Sequence, residues 1–204
     1  MLFRSDASAS FNGVEGEVRG ADFRNWKTGN IKDFTTMFMG STIDPDVSMW
    51  DMSSATGLAW MFADTENANP DVSKWDTSKV TSMTAMFFGA KNANPNVSNW
   101  DVSKVTNMYG MFWSSGIKKT DLSNWKLHQD VLNDFEKSKE MFKHCSKLEY
   151  LKTPAGLKTN ISYIDSDFKI VKLKKGSPVS VEKKSQNLNA KYTINEEIGR
   201  ASCR

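Results

Sequence analysis

"NPDVSKWDTSKVTSMTAMFFGAKNA", residues 69–93, is the middle one of three near copies of a single sentence. Residues 44–68 read "DPDVSMWDMSSATGLAWMFADTENA" and residues 94–117 read "NPNVSNWDVSKVTNMYGMFWSSGI", so that Trp50, Trp75 and Trp100 stand a constant 25 apart. A unit that short cannot enclose a core, and each copy has to bury its apolar face against the copies before and after it. The repetition predicts a solenoid.

The same register extends outward with weaker identity. Upstream, "DFRNWKTGNIKDFTTMFMG" sets Trp26, Ile31, Phe34, Met37 and Phe38 where the middle copy has Trp75, Val80, Met83, Met86 and Phe87. Downstream, "DLSNWKLHQDVLNDFEKSKEMFKHC" keeps Leu122, Trp125, Leu127, Met141 and Phe142. There Trp125 and Met141 are 16 apart, against 11 for Trp100 and Met111, which makes five extra residues. In "LEYLKTP", Leu148, Leu151 and Thr153 repeat the spacing of Val97, Trp100 and Val102, and about six coils are expected. The opening "MLFRSDASAS" aligns with "AMFFGAKNAN", as though the chain began inside a repeat. Three regions follow: residues 1–20 as a partial repeat and insertion, 21–154 as the repeat solenoid, and 155–204 as a C-terminal β cap or linker with a disordered end.

Within one copy the apolar positions divide into two elements. Val97, Trp100 and Val102 follow the rhythm of a short strand entered from a bend, with Trp100 and Val102 inward and Asp101 outward. Val105, Met108, Met111 and Phe112 then recur at steps of three and four, one face of a short helix or of 3₁₀ turns. Ser78 stands where an N-cap would, and Gly89 where a helix stops. The fold class read from this is α/β: a leucine-rich-repeat-like solenoid of strand-plus-short-helix coils with a parallel sheet, closed by a small β-rich cap. Trp26, Trp50, Trp75, Trp100 and Trp125 are its structural core, stacked at the strand spacing of about 4.8 Å. The Met-Phe pairs beginning at Met61, Met86 and Met111 read as packing, because Met fills irregular gaps.

Apolar residues at 39% and charged residues at 25% are ordinary for a folded globular chain. No apolar run is long enough to span a bilayer. The net charge of +3 is too small to argue for nucleic acid. Its distribution is uneven: residues 21–117 hold seven Lys or Arg against ten Asp or Glu, whereas residues 155–204 hold ten against five. The repeats are mildly acidic and the tail basic. In that tail "FKIVKL", "SPVSVEKK" and "AKYTIN" alternate like short strands, which suits a cover for the last open coil. Cys145 reads as a small buried residue, and Cys203 as part of an aperiodic end.

The recurring polar residues ask for a separate account. Asp51, Asp76 and Asp101 form an outward column whose like charges repel, and two remedies exist: a bound cation, or local capture of backbone N–H groups in Asx-turns. Each belongs to an Asp-x-Ser triplet. A second set, Asp46, Asp71 and Asn96, precedes the tryptophans with the same spacing to Ser, and Asn96 serves there without a charge. Acceptor geometry is therefore the favoured reading, with Lys74, Lys79 and Lys104 screening the rest, and no metal site is expected. His128 and His144 lie in no metal-ligand spacing, there is no phosphate loop, and no catalytic set assembles. The expectation is a protein that is not an enzyme and needs no cofactor.

"DVSKWDTSKVTSMTAMFFGA" closely resembles the repeat of BspA-like leucine-rich-repeat bacterial surface proteins, including the Listeria-type surface-protein repeat and the mycoplasma lipoprotein repeat family. The resemblance covers residues 21 to 154. It implies a recognition or adhesion module on a bacterial cell surface, extracellular, whose partner is a protein or glycan on a host or neighbouring cell. No signal peptide, lipobox or wall-sorting motif is visible, so this location rests on the resemblance. The outward positions that differ between copies are Met49, Lys74, Asn99 and Asn124, each followed by a charged residue: Asp51, Asp76, Asp101 and Lys126 after the tryptophans. These eight are the binding-face candidates. A structural spacer is the alternative, and a glycan-active enzyme the remotest.

Overall fold

Two side chains in each copy decide the local backbone. In the computed structural model Asp46 Oδ1 accepts the Ser48 N–H at 3.1 Å, and five residues later Asp51 Oδ1 accepts the Ser53 N–H at 3.0 Å. The same pairs recur at Asp71 and Asp76, and at Asn96 and Asp101. An N–H captured by its own neighbour's side chain is withdrawn from any sheet ladder. The chain bends at each triplet, and the stretch around the tryptophan is a string of turns rather than a strand: Trp50 N–H bonds Val47 O, and Ala55 N–H bonds Met52 O. The structure describes residues 7, 8, 10–15 and 22–157, together with the backbone of the strand segments 159–164, 168–170, 180–183, 190–195 and 200–203.

The Met-Phe stretch is not a helix either. Met86 N–H bonds Met83 O, Phe88 N–H bonds Ala85 O and Ala90 N–H bonds Phe87 O, a chain of overlapping three-residue-step turns. Alternate turns need a third residue with positive φ, the requirement of type II geometry. Ala85 (φ 49°) and Gly89 (φ 65°) meet it here, Thr36 and Gly40, Trp60 and Asp64, and Gly110 and Ser114 in the other copies. The turns leave alternate N–H groups pointing along the stack. Met83, Ala85, Phe87 and Gly89 donate to Asn107, Tyr109, Met111 and Trp113 of the next copy at 2.7–2.9 Å, and the copies on either side do likewise. A single parallel bridge per copy, Asp33↔Gly57↔Ser82↔Asn107, is all the sheet these copies make.

The expected α/β solenoid of six strand-plus-helix coils is thus overturned. Among the described residues the one α-helix is α1, Gln129–Asn133, and it occupies the five-residue insertion before Met141. Among the same residues the one parallel strand pair is β1, Lys119–Asp121, with β2, Tyr150–Lys152. Ser78 closes an Asx-turn instead of capping a helix, and Gly89 lies inside the turn ladder. Apolar steps of three and four fit a ladder of turns as well as a helix, which is why periodicity misled.

Register at both ends differs as well. Phe11, not Phe3, takes the place of Phe38: its N–H bonds Met37 O at 2.7 Å and its ring stacks on Phe38 at 5.5 Å. Leu151 lies beside Thr120, so Leu148, Leu151 and Thr153 match Ile117, Thr120 and Leu122 rather than Val97, Trp100 and Val102. β5 (Ser180–Lys183) runs antiparallel along β2 and carries β4 (Phe168–Ile170) on its other side, while β3 (Thr159–Ile164), β6 (Ala190–Asn195) and β7 (Arg200–Cys203) form a separate antiparallel sheet. Cys203, expected in a disordered end, pairs with Tyr192. Residues 174–178, "KKGSP", which the sequence reads as a turn between the first two of the expected tail strands, lie outside the described residues.

Two aromatic columns fill the interior. Trp26, Trp50, Trp75 and Trp100 stack nearly parallel at 5.9, 6.5 and 6.2 Å between ring centroids, wider than the expected strand spacing because no strand sets it. Phe38, Phe62, Phe87, Phe112 and Phe142 stack at 5.4–5.8 Å. Trp50, Trp75, Trp100 and Trp125 are buried, and Trp26, nearer the end, is partly exposed. Each buried indole also reaches back one copy: Trp75 Nε1 donates to Val47 O at 3.1 Å, Trp100 to Val72 O and Trp125 to Val97 O at 3.0 Å. Trp75→Ala is expected to cost about 3–5 kcal/mol in urea denaturation, by loss of buried area and of this bond. Trp75→Phe, which keeps an aromatic ring in the column but not the donor, should cost about 1–2 kcal/mol. Gly89→Ala should cost about 1–3 kcal/mol, from positive φ and from the Asp64 carboxylate against which its methyl would press. Equal stability of all three variants with the wild type would remove the stacked-turn account.

Candidate functional site

All eight binding-face candidates are solvent-exposed: Met49, Asp51, Lys74, Asp76, Asn99, Asp101, Asn124 and Lys126. Met49 stands out as a large apolar side chain 58% accessible to water. The Asx-turns account for their placement, because Met49, Lys74 and Asn99 each follow the Ser of one triplet and the aspartates open the next. Ser78, through its hydroxyl and its backbone N–H, holds the Asp76 carboxyl below the usual carboxylate range, and Ser53 and Ser103 do the same for Asp51 and Asp101. Lys79 and Lys104 add to the lowering, whereas Asp76 raises both of its neighbours. Repulsion in the acidic row is present and is outweighed locally. In the fifth copy, that of Trp125, Lys126 takes the place of the aspartate.

Two features escaped the sequence reading. The first is an amide ladder at the "NAN" corner, where Asp44 Oδ1 accepts Asn69 N–H at 3.0 Å, Asn69 Oδ1 accepts Asn94 N–H at 2.9 Å, and Asn94 Oδ1 accepts Lys118 N–H at 2.8 Å. Asn67 and Asn92 donate side-chain N–H groups to Thr42 O and Glu66 O of the preceding copy. The literal repetition of Asn at a stride of 25 was the available signal. The second is an aromatic ridge on the outer side of the turn ladder: Trp60 to Phe88 at 5.6 Å, Phe88 to Trp113 at 5.2 Å and Trp113 to Tyr109 at 6.4 Å. All four rings are half-buried. Tyr109 and Trp113 are four apart, the spacing of one helix face, which was the available signal.

The remaining candidates carry no assembled chemistry. Cys145 is buried, its thiol pushed up to about 12 by desolvation, and donates to Phe112 O. His128 Nδ1 accepts the Asp130 N–H at the start of α1. An open cleft of about 440 Å³ lies between Glu66, Lys91 and Lys147, but the Lys147 ammonium is spent on Lys91 O at 2.8 Å and Asn92 Oδ1 at 3.3 Å. Among the described residues no three His, Cys, Asp or Glu side chains come together as a metal-ligand group, and no helix is long and apolar enough to cross a membrane.

Comparison with known proteins returns one family. The model described as Mycoplasma protein of unknown function, DUF285, matches residues 5–125 and again residues 41–153. The chain belongs to this family. The overlapping matches are what a repeated unit produces, since the same model fits in more than one register. No curated protein and no solved structure matches the chain.

The Asx-turns give DUF285 repeats of this kind a defined response to acid. Asp46, Asp51, Asp71, Asp76 and Asp101 all have folded values below the ordinary one. Their contribution is fully present above the unfolded value of about 3.9 and disappears as pH falls through the lower folded values. Melting temperature followed by circular dichroism should therefore drop below about pH 4. Asp76→Asn, which keeps the acceptor as Asn96 does naturally, should flatten that drop; an unchanged acid profile would count against the Asx-turns as its source.

Proposed function

We propose that this chain is a recognition or adhesion module of a bacterial cell-surface protein, in line with its resemblance to BspA-like surface repeats, and that it binds a protein or glycan on a host or neighbouring cell. The observation that carries the reading is a contrast between positions of one repeat. Trp50, Trp75 and Trp100 are identical and buried, while one residue before each, Met49, Lys74 and Asn99 differ in chemistry and face water. A purely structural surface has no need of an exposed Met beside a lysine and an amide in equivalent places. A frame held constant with side chains varied in rows is how repeat proteins build extended binding surfaces. Binding rather than catalysis suits it, since the exposed carboxylates are engaged in holding turns.

Immobilised protein should retain a specific component from host extracellular-matrix or serum proteins, or from surface glycans. The Lys74→Glu, Asn99→Asp double variant should lose it while keeping the wild-type denaturation midpoint. Recovery of the same background by both would leave the chain as a spacer that holds another domain away from the cell.

A further inference from the structure

The ridge of half-buried rings contains one place where the chain shows how it seats a cation. The Lys143 ammonium lies 4.1 Å from the centroid of Trp113 and pairs with the Glu140 carboxylate, which is itself largely buried. A positive charge over an indole face with a carboxylate on its other side is a favourable arrangement once water is partly excluded. Glu140 adopts a φ of 61° in that copy, and Trp60 holds the equivalent place, with φ 58°, in the second.

Where the second copy meets the third, two rings and a carboxylate lie near one another in a different arrangement, with Trp60 standing where Glu140 does and the carboxylate supplied four residues on by Asp64. Trp60 and Phe88 rings are 5.6 Å apart, the Asp64 N–H bonds Phe88 O at 2.6 Å, and the Asp64 carboxylate lies against Gly89. Among the described residues no Lys or Arg sits over Trp60 or Phe88, and Asp64 makes no ion pair within 4.0 Å, the Lys91 ammonium acting on it only at longer range. Trp60 is bulky, partly exposed and in a backbone conformation that favours glycine. Packing alone does not call for a tryptophan there, because the corresponding Thr36, Ala85 and Gly110 fold the same turn. The surrounding repeats are mildly acidic, with seven Lys or Arg against ten Asp or Glu over residues 21–117.

We infer that Trp60, Phe88 and Asp64 form a seat for an arginine or lysine side chain of a partner polypeptide, drawing on the same ring-and-carboxylate chemistry that holds Lys143, though from other positions of the repeat. The partner is a protein segment with exposed basic side chains, and the seat lies on the Met-Phe run, apart from the Asp-x-Ser face proposed above. Its test uses the whole chain and a capped, fluorescein-labelled arginine-glycine repeat peptide, with the same peptide carrying citrulline as the neutral isostere, read by anisotropy at low salt. The arginine peptide should bind and the citrulline peptide should bind about fivefold more weakly. Trp60→Ala and Asp64→Asn should each lose a similar factor; Asn tolerates the positive φ at 64, which guards against a folding artefact. Lys143→Ala, by emptying the second seat, should tighten arginine-peptide binding. Equal binding of the two peptides, or wild-type affinity in Asp64→Asn, would overturn the inference.

Discussion

The fold depends on where its backbone N–H groups can go. A chain that bends every few residues has neither the internal ladder of a helix nor the length of a strand, and a buried amide without a partner costs more than most contacts return. Here alternate amides of each Met-Phe run find their acceptors one copy away, and the indole N–H groups of the buried Trp50, Trp75, Trp100 and Trp125 supply a second link on another side of the coil. The aromatic columns then follow, since copies fixed at that separation bring equivalent rings face to face. Burial of Phe, Met and Trp drives the assembly, but hydrogen bonding between copies sets its geometry.

Much of this was readable from residues alone, though not the backbone type. The stride of 25, the inward tryptophans and the capture of Ser N–H groups by Asp were all legible, because each rests on a local rule or on literal repetition. Strand and helix were not correctly separated. Val97, Trp100 and Val102 keep the rhythm of a strand entered from a bend, and Val105, Met108, Met111 and Phe112 fall at helical steps, yet turns with positive φ satisfy both patterns. Gly89 and Gly110 hint at those turns, but Ala85, Trp60 and Thr36 occupy the same conformation and conceal it. Phe11 was misplaced because a short aromatic match near Phe3 looked better than the true register, which only the stacking on Phe38 reveals.

The surface divides into stretches of different chemistry. Asp-x-Ser turns give a charged row, the Asn corner spends its amides between copies, and the Met-Phe run exposes rings. Sequence reasoning found the first because its residues are charged and vary, and missed the third because a ring beside a buried Phe looks like core. Trp113 and Phe88 differ from Phe112 and Phe87 by one residue in sequence and by their exposure in the structure. Membership in a family described only as of unknown function leaves those surfaces as the guide to what the chain meets.

The helix α1 carries a lesson about tolerance. Five extra residues enter between Trp125 and Met141, yet Phe142 still stacks on Phe112 at 5.4 Å and Met141 still accepts from Phe112 N–H at 2.9 Å. The segment joining tryptophan to Met-Phe pair is therefore a splice point, where length can change while the fixed elements on either side hold their places. Lineages could diversify the outline of such a protein there by insertion alone, and an engineer could graft a foreign loop at the same joint in any copy.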